Sequence, residues 1–289
     1  MAELRRLLAT TDFSTLGNYA VERATRLAQD LGASLDVVHV VTPALVEKLI
    51  GAAGSEQRLF DAAREKLASL AASIHETHGI SCAHHVTSGS LIQGIVNCAE
   101  TVGADLIVLG YQGEHLMRHF LLGSTAERLA TKAPCPFLVV KRAPEDVYRS
   151  VLVATDFSAV SMRALVLAHA LVPEAKIALM HAYEAPFEGK LKYVGVEKGT
   201  LRQYRSSARQ EVMPALQDFC AAAGFSGQQV SPFAVHGKPS LQIVNQSALR
   251  SCDLIVIGKH GESVLENLFI GSVASSVMTK AHCDVLVAI

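Results

Sequence analysis

The chain lacks any run of about 18 consecutive apolar residues, the length expected of a membrane-spanning helix. It also lacks an excess of either charge, because 26 lysines and arginines nearly balance 27 aspartates and glutamates. The net charge of −1 predicts no broad basic surface and argues against nucleic-acid and membrane partners. The opening residues Met1–Arg6 lead directly into a predicted strand, so no secretory signal peptide is expected.

Cysteine is present six times but never in a Cys-x-x-Cys spacing. Most of these cysteines have apolar neighbours, which favours buried reduced thiols over disulfides. Half of the 289 residues are hydrophobic, enough to bury two cores. The composition therefore predicts a soluble cytoplasmic protein.

An internal repeat covers nearly the whole chain. Residues 105–110, Asp-Leu-Ile-Val-Leu-Gly, return as Asp-Leu-Ile-Val-Ile-Gly at 253–258. The segment Thr-Asp-Phe-Ser at 11–14 returns at 155–158. Each repeat is about 140 residues long, the size of a domain and far longer than a solenoid repeat. The sequence predicts two tandem domains, residues 1–142 and 148–289, joined by a linker near 142–149.

Each repeated strand leads into the same glycine pattern. In both copies the first glycine is followed by two residues, a second glycine, nine further residues and a Gly-Ser pair. Three glycines at fixed spacing are weak evidence alone, but their duplication after the same apolar strand is strong evidence for a functional loop. The glycines of the pattern are Gly110, Gly113 and Gly123 in the first copy and Gly258, Gly261 and Gly271 in the second.

Strand and helix patterns alternate through each copy. In the first copy, strands are predicted at about 6–11, 35–41, 81–86, 106–109 and 137–141. Helices are predicted at about 15–31, 55–78 and 90–102, with a last helix from Ser124. Short apolar strands indicate a parallel sheet covered on both faces. The alternation predicts a doubly wound α/β domain with strand order 3-2-1-4-5.

This strand order locates a candidate site. Strands one and four become neighbours at the switch point, where open α/β sheets bind ligands beyond the carboxyl ends of their strands. Asp12 follows strand one and Gly110 ends strand four, so the carboxylate and the glycine loop should converge. Asp156 and Gly258 should do the same in the second domain.

The chemistry of these residues fits a nucleoside phosphate. Gly110 and Gly113 are expected to adopt positive φ and to let the backbone approach a ligand. The helix that opens at Ser124 favours phosphate at its N-terminus. Asp12 is expected to act through Mg²⁺ or on a sugar hydroxyl. Two simpler interpretations remain open: the glycines are turn residues, and the aspartates cap the following helix in competition with Ser14 and Ser158.

The combination resembles the universal stress protein family in its tandem two-domain form, across residues 3–142 and 148–289. The resemblance implies the adenine-nucleotide α-hydrolase-like fold, ATP as ligand together with Mg²⁺, and at most slow hydrolysis. It also implies that aspartate contacts ribose or metal, that a residue after strand two contacts adenine, and that the glycine loop holds ribose and phosphates. The implied residues are Asp12, Val40, Gly110, Gly113, Gly123, Ser124 and Thr125, then Asp156, Ala182, Gly258, Gly261, Gly271, Ser272 and Val273.

Two departures from the family pattern suggest unequal sites. ATP-binding members often carry a hydroxyl residue third after the last glycine, where this chain has Ala126 and Ala274. The residues between the first two glycines also differ, Tyr111-Gln112 in one copy and Lys259-His260 in the other.

Several other residues are weaker candidates. Cys82, His84 and His85 lie close together on strand three, which makes a zinc site conceivable, although edge side chains without a ligand explain them as well. His39 and His181 are expected to be core histidines, whereas His260 lies in the glycine loop. Arg118 and His119 are expected either on a solvated loop or over the phosphates. No Ser-His-Asp set and no pair of catalytic carboxylates is evident.

Two function classes remain. The first is a nucleotide-dependent stress-response or regulatory module that is not primarily an enzyme, with adenine nucleotide and unknown proteins as partners. The second is a nucleotide-independent scaffold of the same fold. An adenylating enzyme is less favoured, because no S-G-G-x-D-S loop follows strand one. The apolar last strands, 137–140 and 285–288, predict an intramolecular pseudo-dimer, with homodimerisation left open.

Overall fold

The computed structural model describes residues 4–111, 124–185, 188, 193–194, 196–225, 229–261 and 270–289. The chain divides into two units, with the main boundary between Val147 and Tyr148. Among the described residues, no helix is long and apolar enough to cross a membrane.

Unit 1 alternates strands and helices. Its strands are β1 (Arg6–Thr10), β2 (Ser34–Val41), β3 (Cys82–Ser88), β4 (Leu106–Gly110) and β5 (Phe137–Val140). Its helices are α1 (Thr15–Leu31), α2 (Pro43–Ala53), α3 (Glu56–His78), α4 (Leu91–Val102) and α5 (Ser124–Lys132).

Unit 2 follows the same order. Its strands are β6 (Ser150–Ala154), β7 (Lys176–Tyr183), β8 (Val230–His236), β9 (Leu254–Gly258) and β10 (Asp284–Ala288). Its described helices are α6 (Ala159–Leu171), α7 (Lys198–Ala222), α8 (Pro239–Leu249) and α9 (Ser272–Lys280).

The predicted strand order is confirmed in both units. In unit 1 the order is β3-β2-β1-β4-β5, and in unit 2 it is β8-β7-β6-β9-β10. All pairings inside each unit are parallel. The first and fourth strands are therefore neighbours, with Ala9 opposite Val108 in unit 1 and Val153 opposite Val256 in unit 2. All but one residue of β4 and of β6 is buried, as expected of a parallel sheet whose two faces are covered by helices.

The repeated aspartate has a structural role at the amino end of the sheet. Asp105 Oδ2 accepts hydrogen bonds of 2.9 Å from the backbone N–H groups of Arg5 and Arg6. Asp253 accepts from Arg149 and Ser150 in the same way. These carboxylates hold the start of β1 and β6, at the end of each sheet opposite the candidate site.

Local sequence signals mark the end of helix α1 and the start of helix α2. The predicted helix at 15–31 is confirmed, and Gly32 ends it with a φ of 64°, which glycine adopts without the cost of a β-carbon. Helix α2 was not predicted, although its signals were present. Pro43 occupies its first turn, where a missing N–H is harmless, and Thr42 Oγ1 accepts from Leu45 N at 3.3 Å.

Candidate functional site

The turn after β1 is built by its own side chains. Thr11 Oγ1 accepts from Phe13 N at 2.9 Å, and Asp12 Oδ1 accepts from Ser14 N at 3.0 Å. Phe13 has a φ of 63°, a conformation that is uncommon outside glycine. Its ring lies 4.6 Å from that of His39, between centroids. The Nδ1 of His39 is 2.8 Å from Thr11 O, which confirms His39 as a core histidine that supports this turn.

Unit 2 repeats this turn almost atom for atom. Asp156 Oδ1 accepts from Ser158 N at 3.1 Å and from Ser158 Oγ at 2.6 Å. Phe157 has a φ of 68° and packs against His181 at 4.5 Å, and His181 Nδ1 is 2.8 Å from Thr155 O. Both copies thus present an aspartate at the carboxyl end of their first strand.

Serine, and not aspartate, caps the N-terminus of the helix that follows the first strand in each unit. Ser14 Oγ accepts from Gly17 N at 3.1 Å, and Ser158 Oγ accepts from Ser161 N at 3.2 Å. The aspartates hold those serines instead of capping the helices themselves. The interpretation of Asp12 and Asp156 as N-caps is therefore wrong, because serine already occupies the cap position.

In unit 2 the carboxylate and the glycine loop converge as expected. A β-carbon built on Gly261 would collide with Asp156 Oδ2. Gly271 N donates to Lys259 O at 2.8 Å, so the residue before α9 is tied to the loop that follows β9. A β-carbon on Gly271 would lie 3.3 Å from both His260 Cα and Lys259 O. The glycines therefore allow the aspartate, the loop and the start of α9 to meet.

The expectation of positive φ is wrong for Gly110, and Gly258, Gly261 and Gly271 do not adopt it either. A β-carbon on Gly110 would lie 2.7 Å from Leu16 O and 3.2 Å from Gly17 N. Gly110 is thus required by close packing of β4 against the first turn of α1. Gly113 and Gly123 lie outside the described residues, as do Gln112, Arg118 and His119.

The unit 2 residues enclose a cavity of about 410 Å³. All seven residues predicted for this domain line it: Asp156, Ala182, Gly258, Gly261, Gly271, Ser272 and Val273. His260 lines it as well, together with Lys259 and Ser161. Its apolar lining includes Met180, Ile243 and Ile257. The cavity lies within the usual 300–1,000 Å³ of small-molecule sites.

The corresponding crevice of unit 1 is smaller. Its volume is about 70 Å³. Asp12, Val40, Gly110 and Thr125 line it, and Ser124 begins α5. Leu91 and Ile95 from α4 and Tyr111 after β4 complete one side. The structure thus brings part of the predicted set together in unit 1 and the whole predicted set in unit 2.

Lys259 is a lining residue that the sequence marked only as a difference between the two copies. The residue lines the cavity and is only 6% exposed. Burial lowers the pKa of the Lys259 ammonium, because a low-dielectric environment disfavours the charged form. The signal in the sequence was its position between two motif glycines, but nothing in the sequence indicates that this lysine is buried.

Cys82, His84 and His85 lie on β3. No group of three or more histidine, cysteine or acidic side chains suited to a metal ion occurs among the described residues. His84 is exposed, and His85 Nε2 instead contacts the buried Asp36 Oδ1 at 2.6 Å. Arg6 Nε donates to Asp36 Oδ2 at 2.7 Å. His85 instead belongs to a hydrogen-bonded cluster around Asp36.

The cysteines behave as the sequence predicted. All six are free thiols, and Cys82 alone is not buried. Burial raises the pKa of Cys98 to about 11 and that of Cys135 to about 12. These thiols stay protonated near neutral pH and are poor nucleophiles.

The comparison with protein families decides the affiliation. The model of the universal stress protein family matches residues 3–141 and again residues 147–288. The chain belongs to the universal stress protein family. The doubly wound fold described above is the adenine-nucleotide α-hydrolase-like fold of solved members.

Individual relatives agree with this affiliation. A universal stress protein of Mycobacterium tuberculosis is 27% identical over 189 residues, which cover 64% of this chain and 62% of the relative. This match therefore spans less than two thirds of that relative's length. A universal stress protein of Mycolicibacterium smegmatis is 23% identical, with 97% of this chain and 96% of the relative covered. The crystal structure of a universal stress protein from Archaeoglobus fulgidus has a TM-score of 0.71 at 20% identity, over 99% of this chain and 98% of that one.

Proposed function

We propose that unit 2 binds an adenine nucleotide and that the protein acts as a nucleotide-dependent regulatory module in the stress response. The observation that carries the proposal is the 410 Å³ cavity in which Asp156, the loop Gly258–Gly261 and the start of α9 meet. Membership of the universal stress protein family supports the general stress-response role.

The cavity offers matching chemistry to each part of a nucleotide. Met180, Ile243 and Ile257 provide an apolar surface for a base. Ala182, at the end of β7, has backbone groups suited to the edge of an adenine ring. Asp156 and Ser272 are among the polar residues that line it. Such a combination of an apolar lining with a few polar groups is typical of sites that bind small molecules.

The start of α9 suits a phosphate. Gly271 precedes the helix and has no side chain that could cap it, and no side-chain hydrogen bond caps this end. The first intrahelical hydrogen bond runs from Ser275 N to Gly271 O at 3.0 Å. The N–H groups of the preceding helical residues have no intrahelical acceptor and carry the positive end of the helix dipole. An anionic ligand would supply the missing acceptors.

Asp156 fits the place of a ribose or magnesium ligand. It is the one carboxylate among the described residues that line the cavity. Mg²⁺ in nucleotide sites is commonly held by one or two carboxylates together with phosphate oxygens and water, so this donor set suits a metal that arrives with the nucleotide. Bound Mg²⁺ would neutralise phosphate charge next to Asp156.

Hydrolysis, if present, is proposed to be slow. Asp156 is expected to be engaged with ribose or metal, and no second carboxylate among the described lining residues is available as a general base. We expect turnover well below the roughly 1–10³ s⁻¹ of common enzymes. A phosphate-release assay that gave tens of turnovers per second, abolished by Asp156→Asn, would instead make the protein an ATPase.

The proposal is tested by native mass spectrometry of the purified full chain, with and without added Mg-ATP. We expect an adduct with the mass of an adenine nucleotide, retained after gel filtration and lost after denaturation. A chain that carries no adduct and takes none up from millimolar ATP would favour the second function class, a scaffold that works without nucleotide.

A further inference from the structure

Another cavity of unit 1 lies between two of its helices, away from the crevice at the switch point. Its volume is about 400 Å³, within the usual range of small-molecule sites. It is lined by residues of α1 and α3 and by Phe13, which lies in the turn before α1. Among the described residues, none lines both this cavity and the crevice that contains Asp12 and Gly110. We call this cavity the α1–α3 groove.

Most of the surface of the α1–α3 groove is apolar. Phe13, Val21, Leu70 and Ile74 are its apolar residues. Val21 and Ile74 are buried, whereas Phe13 and Leu70 are half-buried. Apolar surface that is accessible in a concave site, next to a few polar groups, is typical of sites that bind small molecules.

Lys66 brings a positive charge to this apolar surface. Lys66 Nζ lies 4.3 Å from the centroid of the Phe13 ring, and both residues line the groove. Glu22 also lines the groove, but its Oε1 pairs with Arg26 Nη2 at 2.8 Å. Within the described part of the chain, no carboxylate forms an ion pair with Lys66. The groove therefore offers a cation to an incoming anion.

Unit 2 carries an aromatic side chain at a position where unit 1 has a smaller one. Counted back from the positive-φ glycine that follows each long helix, Phe219 of α7 occupies the position of Ile74. The buried Leu216 and the buried Ala71 correspond under the same alignment. The Phe219 ring packs edge to face against Phe157, with 5.8 Å between the centroids. Isoleucine at this position in unit 1 leaves more room beside the phenylalanine of the turn.

Two further positions have diverged in the same region. Counted from the aspartate of the turn, His169 occupies the position of Thr25, and its ring lies 5.0 Å from that of Phe225. Counted from the glycine after the long helix, Glu211 occupies the position of Lys66, so the charge is reversed. The room and the positive charge are therefore particular to the side chains of unit 1.

We propose that the α1–α3 groove is a second small-molecule site, and that it takes a small organic anion with an apolar body. The anionic group, a carboxylate or a sulfonate, would pair with the ammonium of Lys66. The apolar body would pack against Leu70 and Ile74 and remove their surface from water. The inference does not depend on nucleotide binding, because the groove shares no described lining residue with the unit 2 cavity.

The first test uses two fluorescent probes and the full chain. Anilinonaphthalene sulfonate carries one sulfonate on an aromatic body, and N-phenylnaphthylamine is the same body without the sulfonate. We expect the sulfonate to bind at a saturable site, and Lys66→Met to weaken this binding by about three- to tenfold, the size expected of one partly exposed charged contact. The affinity for the neutral probe should be unchanged. Lys132→Met, at an exposed position on α5, is the matched control.

Three results of this titration would overturn the proposal. The first is the absence of saturable sulfonate binding to the native chain. The second is an equal affinity of the native chain and Lys66→Met for the sulfonate. The third is an equal loss of affinity for both probes in Lys66→Met, which would assign Lys66 a structural role instead of recognition of the anion.

A second pair of variants tests where the apolar body lies. Ile74→Phe gives unit 1 the side chain that unit 2 carries, and Leu70→Phe adds bulk at a half-buried position that disturbs the core less. We expect each variant that keeps the native circular dichroism spectrum to lose binding of both probes. Leu249→Phe, at a position that is 78% exposed in unit 2, is the control. Undiminished binding in the folded variants would overturn the proposal.

A titration in millimolar Mg-ATP distinguishes the groove from the unit 2 cavity. We expect the sulfonate to stay bound and the effect of Lys66→Met to persist. Displacement of the sulfonate by Mg-ATP from both the native chain and Lys66→Met would place the probe in the unit 2 cavity and overturn the proposal. Absence of ATP binding would count against the proposed function and would leave the result at the groove unaffected.

Discussion

The glycines of the repeated motif serve two different physical purposes. Gly110 is needed because the backbone of α1 leaves no room for a β-carbon, which would lie 2.7 Å from Leu16 O. Gly261 is needed because the carboxylate of Asp156 occupies the space. The sequence shows both as members of one motif. Only the tertiary neighbours reveal that the first glycine is a packing residue and the second lines a cavity.

This distinction predicts the effect of Gly110→Ala. The new methyl group meets backbone atoms that cannot move aside, so we expect a loss of about 1–3 kcal/mol in the free energy of unfolding. Gly199→Ala is the matched control, because its β-carbon would meet nothing within 4 Å and alanine favours a helix. Urea unfolding of both variants measures the difference. Equal stability of the two variants would contradict the packing role of Gly110.

Asp36 is a second residue whose role emerges only from its neighbours. It is 1% exposed and lies between Arg6 and His85. Burial by itself would raise the pKa of this carboxyl, but the hydrogen bonds from Arg6 and His85 outweigh burial and lower it. In unit 2 the corresponding strand position is Ala178, so the repeat offers no hint of this cluster.

The sign of this shift predicts acid sensitivity in unit 1. A carboxyl with a lowered pKa contributes stability above its unfolded pKa of about 3.9, and the contribution is lost as the pH falls through the folded pKa. We expect Asp36→Asn to cost about 2 kcal/mol at pH 7, with the difference from native protein shrinking below pH 4. Asp61→Asn, at an exposed position, is the control. A cost for Asp36→Asn that did not change with pH would contradict the ionised state of Asp36.

At the scale of elements, the turn between the first strand and the first helix is the feature most completely repeated. Threonine, aspartate and serine each make the same hydrogen bond in both copies. The phenylalanine in each copy has positive φ and packs against a strand-two histidine. Local hydrogen bonds and ring packing therefore stabilise a conformation that costs on the order of 1 kcal/mol or more in a residue with a β-carbon.

Replacing the serine of this turn is expected to have different effects on ATP binding in the two units. Ser14→Ala and Ser158→Ala each remove a helix cap, so each should lower the free energy of unfolding by about 1 kcal/mol. Ser158→Ala also releases Asp156 from its hydrogen bond at 2.6 Å, so it should weaken ATP binding as well. Ser14→Ala should leave ATP affinity unchanged, because the site proposed to bind lies in unit 2. Equal effects on affinity in a titration of both variants would contradict this account.

Most elements could be predicted because their signals are local. The first helix, the αL glycine that ends it and the apolar strands follow from periodicity and from the conformational freedom of glycine. Helix α2 was missed although Thr42 and Pro43 marked its start. The burial of Lys259 could not be predicted from its position between two motif glycines, because burial depends on contacts with parts of the chain that are distant in sequence.

At the scale of the whole molecule, one duplicated sequence has produced two sites of different character. The strand order and the switch point were predictable, because short parallel strands with helical crossovers admit few arrangements. The crevices differ in volume and in the residues that follow β4 and β9, which are Tyr111 in unit 1 and Lys259 in unit 2. The assembly expected from the two last strands stays a prediction.

The central claim is that an adenine nucleotide binds at Asp156 and the glycine loop, and the most direct measurement is unfolding of the nucleotide-free full chain with and without Mg-ATP. A ligand that binds only the folded state at 100 times its Kd stabilises it by about 2.7 kcal/mol. We expect a shift of this size that grows with ATP concentration and disappears in Gly261→Ala. Unfolding that is unchanged by millimolar Mg-ATP would contradict the claim.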